Sequence, residues 1–153
     1  KVSMKHGQLR RRCDVYDEAV IGLEEARRAM QAMLDEAMKE PDRPVAIAVV
    51  DGHGRLVAFA RMDRCRLIPQ QLAYKKAYTA AIMRSDTGAL AERFKGMGRS
   101  VSDFGDPNMI ALQGGVVIQQ SSDESFLGAI GVSGLRAEED EAMAHIGVKA
   151  TGL

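Results

Sequence analysis

One stretch of the sequence decides the fold: Val45-Ala-Ile-Ala-Val-Val-Asp-Gly-His-Gly-Arg-Leu-Val-Ala-Phe-Ala-Arg61. Its first six residues are all apolar and half of them are β-branched valine, which favours a buried strand. The segment Asp51-Gly-His-Gly54 then supplies turn-forming residues, including glycines that accept a positive φ. A second largely apolar run follows at once. So short a connection between two strands forces an antiparallel hairpin.

A second hairpin is predicted towards the end of the chain. Gly114-Gly115 precede the apolar run Val116–Gln120, and polar residues then separate it from the run Phe126–Ser133. Two apolar runs flanking a short polar turn are typical of paired antiparallel strands.

Helical patterns occupy much of the remaining chain. Apolar residues recur at three-and-four spacing from Asp17 to Lys39. Further helices are predicted from Pro69 to about Arg84, from Ser85 to Phe94 and from Glu138 to Ile146. Because the strands lack βαβ alternation, the sheet should be antiparallel. We predict an α+β fold: two hairpins form one antiparallel sheet, with helices packed on one face.

Composition sets broad limits on organisation and partners. The chain has 153 residues, 46% of them hydrophobic, which suits one domain over residues 1–153 with its core in about 17–147. Because 21 basic residues balance 21 acidic ones, nucleic acid is not an expected partner. No apolar run is long enough to span a bilayer, so no membrane partner is expected. Two cysteines do not make a disulfide framework, which favours the cytoplasm. The chain begins with Lys1, so secretion through a removed leader stays open.

Glycines accumulate around the second hairpin and need an explanation. Gly131 and Gly134 lie at the end of its last strand, on either side of Ser133, and Gly114 and Gly115 open its first strand. Glycine weakens a strand unless another group must come close to the backbone. That group is either a tightly packed helix or subunit, or a bound planar or elongated ligand.

Two polar residues stand on the narrow apolar stripe of the second helix. Lys76 either extends its ammonium to solvent along an aliphatic stem, or is directed at an anion such as a carboxylate or propionate. Thr79 on the same stripe is either a packing residue or a donor to a ligand. Asp51 at the tip of the first hairpin either closes its own turn or contacts the ligand.

The first hairpin ends in two charged residues, Arg61 and Asp63. They either pair with each other on the surface or act with Lys76 as catalytic groups that orient charge and transfer protons. The histidines His6, His53 and His145 are far apart and show no zinc-like spacing, so no preformed metal site is predicted. One histidine would suffice as an axial haem ligand.

Five ordered blocks of sequence carry a family resemblance. They are Pro44-Val-Ala-Ile-Ala-Val-Val-Asp51, Gly54-Arg-Leu-Val-Ala-Phe-Ala-Arg-Met-Asp63, Lys76-Ala-Tyr-Thr-Ala-Ala81, Gly114-Gly115 and Gly128-Ala-Ile-Gly-Val-Ser-Gly134, followed by Asp140-Glu141. Together they resemble the GlcG/HbpS family. The resemblance implies a profilin-like fold that assembles into homo-oligomers. Some members of the family bind haem, some are like the C-terminal domain of PduO cobalamin proteins, and some accompany catabolic operons. The resemblance implies these same possibilities for this chain.

The hypothesis that follows is a small-molecule binding domain. Its ligand would be haem, a corrinoid or a small organic anion, held in a glycine-rich pocket near a subunit interface. The alternative is an enzyme of a catabolic operon that acts on a small carbonyl or aromatic substrate. A third hypothesis is an oligomeric scaffold without a ligand. The predicted ligand-binding residues are Asp51, Lys76, Thr79, Gly114, Gly115, Gly131, Ser133 and Gly134, and the catalytic residues of the alternative are Lys76, Arg61 and Asp63.

Overall fold

The computed structural model describes residues 17–153; His6 and Cys13 lie outside this range. Within it, α-helices pack against a four-stranded antiparallel sheet, as predicted. No helix in the described range is long and apolar enough to cross a membrane. The elements are α1 (Leu23–Ala37), β1 (Ala46–Asp51), β2 (Leu56–Arg61), α2 (Leu67–Met83), α3 (Thr87–Gly96), a 3-10 helix (Val101–Phe104), β3 (Gly115–Gln119), β4 (Phe126–Ser133) and α4 (Ala137–Ala150).

The sheet has the strand order β2-β1-β4-β3. Both predicted hairpins are present, and they join through antiparallel pairing of β1 with β4. The first hairpin turns at Gly54, whose φ of +77° explains the glycine there. At the other end of β1, Ala46 lies between Arg61 on β2 and Ser133 on β4. The two central strands therefore come from different hairpins.

Helices cover both faces of the sheet, so the prediction of helices on one face is wrong. Helix α2 packs on one face, and α1 and α4 pack on the other. The β1 run is apolar without alternation because its strand is buried on both sides. Larger side chains of the segment 45–50 face α1 and α4, and smaller ones mostly face α2: Val45, Ile47 and Val49 on one side, Ala46, Ala48 and Val50 on the other.

Two helix boundaries differ from their predicted positions by four residues or more. Helix α1 begins at Leu23 rather than at Asp17, because the Ile21 amide donates to the carbonyl of Leu127 on β4 at 2.9 Å. Gly22 then takes an extended backbone and turns the chain into the helix. Helix α4 continues to Ala150, beyond the predicted end at Ile146. The added turn packs close to α1, because a Cβ atom at Gly147 would lie 2.6 Å from the Met33 side chain.

Candidate functional site

Lys76 forms a buried ion pair with Asp140. The Lys76 Nζ atom lies 2.7 Å from Asp140 Oδ2 on α4 and donates to the carbonyl of Val132 at 2.9 Å. Lys76 is only 3% exposed, so the alternative in which its ammonium reaches solvent is wrong. The anion it meets is a carboxylate of its own chain.

Asp140 has a second structural contact. Its Oδ1 atom accepts a hydrogen bond from the Leu135 amide at 3.0 Å, just before α4 begins. Burial raises the pKa of the Asp140 carboxyl, and its hydrogen bond and charge interaction with Lys76 act in the opposite direction. The pair thus ties α2 and α4 together through the sheet end where Val132 lies.

The glycines near this pair allow a helix to approach the sheet closely. A Cβ atom at Gly131 would collide with the backbone of α2 at Ala73, and one at Gly115 would collide with the carbonyl of Lys76. A Cβ atom at Gly114 would lie 2.9 Å from Lys76 Nζ. Close helix packing therefore accounts for Gly131 and Gly115, and Gly114 also has a φ of +119° that favours glycine.

Three other predicted ligand-binding residues are buried or make hydrogen bonds within the chain. Asp51 Oδ1 accepts from the amides of His53 and Arg55 at 2.9 and 3.0 Å, which closes the first hairpin. Thr79 Oγ1 donates to the Lys75 carbonyl and accepts from the Ile110 amide at 2.8 Å, so it fixes the loop before β3 to α2. Ser133 is buried at the end of β4.

Arg61 and Asp63 are both exposed, and within residues 17–153 they form no ion pair with each other. Asp63 instead lines a surface pocket of about 340 Å³. An adjoining cavity of about 440 Å³ includes Gly134 in its wall. The two volumes share Pro41, Asp42 and Arg64. The structure therefore places Asp63 and Gly134 beside one open region.

We call the larger cavity the arginine cleft. It is lined by Pro41, Asp42, Arg43, Pro44, Arg64, Arg66, Pro69 and Gly134. Its volume falls in the range of about 300–1,000 Å³ that small-molecule sites occupy. Three guanidinium groups, three proline rings and one carboxylate make its wall both apolar and cationic.

The three arginines of the cleft differ in their partners. Arg43 is held by Glu139 at 2.6 Å and by Glu40 at 3.2 Å. Arg64 and Arg66 have no acidic partner among the residues that the structure describes. Two exposed cations in the wall of one cleft are therefore available to an anionic ligand.

The backbone at Arg64 is unusual. Its φ of +64° is in the left-handed region, in a turn closed by the Cys65 amide on the Met62 carbonyl at 3.2 Å. Glycine or asparagine is favoured at such a position, and an ordinary residue costs about 1–2 kcal/mol there. Strain of this kind is concentrated at functional sites. The chain keeps an arginine where a glycine would be less strained.

The N-terminus of α2 adds to the positive potential of the cleft. Arg66 is its N-cap residue and Pro69 is in its first turn. That turn holds no acidic residue, and no side chain caps it. Its unpaired amide groups and the helix dipole favour an anion at this end.

Arg43, Arg64 and Arg66 are not among the functional residues predicted from the sequence. None of them belongs to a periodic pattern, because Arg43 lies in the loop before β1 and the other two lie between β2 and α2. A signal was present in the density of arginine: Arg61, Arg64 and Arg66 occur within six residues, close to the predicted hairpin end.

Comparison with known proteins gives one family. The model described as "Haem degrading protein HbpS-like" matches residues 21–149. The chain is 37% identical to Protein GlcG of Escherichia coli strain K12 over 99 residues, which is 65% of this chain and 70% of GlcG.

Solved structures agree with this match. A double mutant of Streptomyces reticuli HbpS superposes with a TM-score of 0.77 at 26% identity, over 97% of this chain and 94% of that chain. A structure described as a PduOC:heme complex gives a TM-score of 0.76 at 24% identity, over 86% of this chain and 95% of that chain. At 24% identity, the similarity to the PduOC:heme structure shows a shared fold alone.

Proposed function

The chain belongs to the HbpS-like family, and from that premise we propose that it binds haem in the arginine cleft. The observation that carries this proposal is the pair of unpartnered guanidinium groups, Arg64 and Arg66, in a cleft with apolar walls. Haem presents two propionates at one edge of a flat apolar ring. Arginine is well suited to carboxylates because its planar group donates two parallel hydrogen bonds.

The residues of the cleft fit such a ligand in three respects. Arg64 and Arg66 would hold the propionates, with the first amides of α2 close by. The proline rings would contact the macrocycle. In the adjoining pocket Met38 is 58% exposed, and a thioether is one of the side chains that ligate haem iron. Met62 in the same pocket is less suited, because its sulfur accepts from the Val45 amide.

The chemistry of a bound haem would come from its iron, which can bind dioxygen or pass electrons. The chain would contribute binding, orientation and the charge around the propionates. Arg43, held by two carboxylates, would stay in the cleft wall. A corrinoid is bulkier than haem, which makes it a useful comparison ligand.

We also propose that the protein forms a homo-oligomer. Strand β2 is at the edge of the sheet and exposes Leu56 and Phe59, which are 54% and 41% exposed. Leu67 and Ile68 at the start of α2 are 64% and 61% exposed. Exposed apolar side chains on an edge strand favour association with another copy. Native mass measured with and without haemin tests this part.

The test is a haemin titration followed by absorption. Tag-free protein is expected to give a shifted Soret band that saturates at a fixed number of haems per chain. The variant Arg64→Ala/Arg66→Ala should weaken binding by at least about tenfold, since a hydrogen bond to a charged group contributes about 1.5–3 kcal/mol. Met38→Leu should retain binding but change the Soret position.

Two controls make the result specific. Arg27→Ala/Arg99→Ala removes two exposed arginines outside the cleft and should leave the haem affinity unchanged. Hydroxocobalamin in place of haemin should give no saturable spectral change. Absence of a spectral shift with haemin, or equal affinity in the cleft and control variants, would refute the proposal.

A further inference from the structure

We propose that Asp86, Glu141 and His145 form a second site, which binds a divalent first-row transition-metal ion. One donor atom from each of the three side chains lies within 4.8 Å of the others. Glu141 and His145 are one helical turn apart on α4, and Asp86 immediately precedes α3. Ligands around such an ion lie roughly 3–4 Å from one another, so small rotations of these side chains suffice.

Glu141 provides an independent observation that indicates a missing partner. Its Oε2 atom is buried, and within the described residues it has no hydrogen-bond partner. Its other oxygen, Oε1, lies 3.9 Å from His145 Nε2. A buried carboxylate oxygen without a donor is unfavourable, and native proteins rarely tolerate one without an ion or water. A cation would satisfy it.

The space beside this oxygen is kept by a glycine. A Cβ atom at Gly88 would lie 2.9 Å from Glu141 Oε2 and 3.1 Å from Gln113 Cγ. The φ of Gly88 is not in the left-handed region, so its backbone conformation does not require glycine. The absence of a side chain at this position leaves room next to the orphan oxygen.

The third ligand is already oriented, and solvent can reach the site. Asp86 Oδ1 accepts a hydrogen bond from the Val117 amide at 2.9 Å, which fixes its carboxylate and leaves Oδ2 for an ion. A cavity of about 420 Å³ includes Asp86 and His145 in its wall. Water or a small ligand could complete the coordination from that side.

The donor set selects the class of ion. One imidazole and two carboxylates suit Zn²⁺, Mn²⁺, Fe²⁺ or Co²⁺, whereas Cu⁺ prefers sulfur and Ca²⁺ prefers more oxygen ligands. The two carboxylates would balance the charge of a divalent ion. This site shares no lining residue with the arginine cleft, so it is independent of the haem proposal.

The experiment uses Co²⁺ and Zn²⁺ with tag-free protein that has been dialysed against a chelator. We expect one equivalent of Co²⁺ to bind per chain, with visible absorption that Zn²⁺ displaces, and a higher Tm in the presence of either ion. His145→Ala and Glu141→Gln should each weaken Co²⁺ binding by at least about tenfold. His145 is exposed, so its variant is expected to fold even if the Glu141 variant does not.

Matched controls are His53→Ala and Glu138→Gln, which change an exposed histidine and an exposed α4 carboxylate outside the cluster. Both should bind Co²⁺ like the parent. A further readout separates the site from a structural role. Without metal, Glu141→Gln should unfold at a higher temperature than the parent, because it removes the charge from a carboxylate that has one buried oxygen without a donor. Failure of the parent to bind Co²⁺ at millimolar concentration, or unchanged binding in His145→Ala, would overturn the proposal.

Discussion

The buried Lys76–Asp140 pair and the arginine cleft both contain cationic side chains, but they differ in whether the chain supplies the counter-charge. In the interior, the Lys76 ammonium meets a carboxylate and a carbonyl of its own chain. In the cleft, Arg64 and Arg66 meet no acidic partner within residues 17–153. A conspicuous charge therefore does not identify a ligand site by itself. What matters is whether the chain already supplies its counter-charge.

Breaking the interior pair should give the largest effect. Lys76→Met leaves the Asp140 carboxylate buried without its cation, and removal of one partner of a buried pair costs about 3–5 kcal/mol. Urea unfolding at pH 7 measures the loss. Lys75→Met, at a less buried neighbour on α2, is the control and should change stability little. A Lys76 variant as stable as the parent would contradict the structural role of the pair.

Crowding the helix–sheet contact beside the pair should have the next largest effect. Gly131→Ala directs a methyl group at the α2 backbone near Ala73 and Ala77, and overpacking of this kind costs about 1–3 kcal/mol or more. In contrast, Gly96→Ala adds a methyl group that meets nothing within 4 Å in α3 and should hold or raise stability. If both variants lost equal stability, close packing would not explain Gly131.

Relieving the strain at Arg64 should separate stability from binding. Arg64→Gly removes a cation from the cleft and suits the φ of +64°. Loss of the backbone strain stabilises the folded chain, whereas glycine adds entropy to the unfolded chain. The net result should be an unfolding free energy higher by up to about 1 kcal/mol. Haem affinity should fall by at least about tenfold in the same variant. Loss of stability together with binding would instead indicate a structural role for this arginine.

Glu139, which holds Arg43 in the cleft wall, should give the smallest effect. Its hydrogen bonds from Arg43 and Arg136 lower its pKa to about 2 from an ordinary 4.5. A lowered pKa means that the ionised form stabilises the folded chain above pH 4.5, and that this stabilisation is lost as the pH falls towards 2.

Thermal unfolding across that pH window measures the contribution. Glu139→Gln should lower the Tm by no more than about 3 °C at pH 7, and the difference should vanish near pH 2. Glu92→Gln, at an exposed position on α3, is the control and should show no such pH-dependent difference. A Tm difference that persisted at pH 2 would contradict the assignment.

The sheet was predictable because its signals are local. The apolar runs on either side of Asp51–Gly54 fix the first hairpin, and the same reasoning gives β3 and β4. The prediction that helices cover one face of the sheet was wrong, although the unbroken apolar run of β1 already required burial on both faces. The start of α1 was missed because Ile21 is held by Leu127 on a strand far along the chain.

The site was harder to predict because its contacts are distant in sequence. Asp140 is 64 residues from Lys76, which is too far for a local sequence pattern to connect the two. Glu141 and His145 lie at i and i+4, a spacing that places both on one helix face, but their third companion, Asp86, comes from another element. The arginines of the cleft lie in segments without periodicity, so no pattern indicated them.

The most direct test of the account compares two double variants in one haemin titration. Lys76→Met/Asp140→Leu replaces the interior pair with apolar side chains, which proteins often tolerate without loss of stability. Arg64→Gly/Arg66→Ala removes the unpartnered cations of the cleft. The first variant is predicted to bind haem as the parent does, and the second to bind at least about tenfold more weakly while remaining folded. Loss of haem binding in the first variant, with retention in the second, would contradict the account.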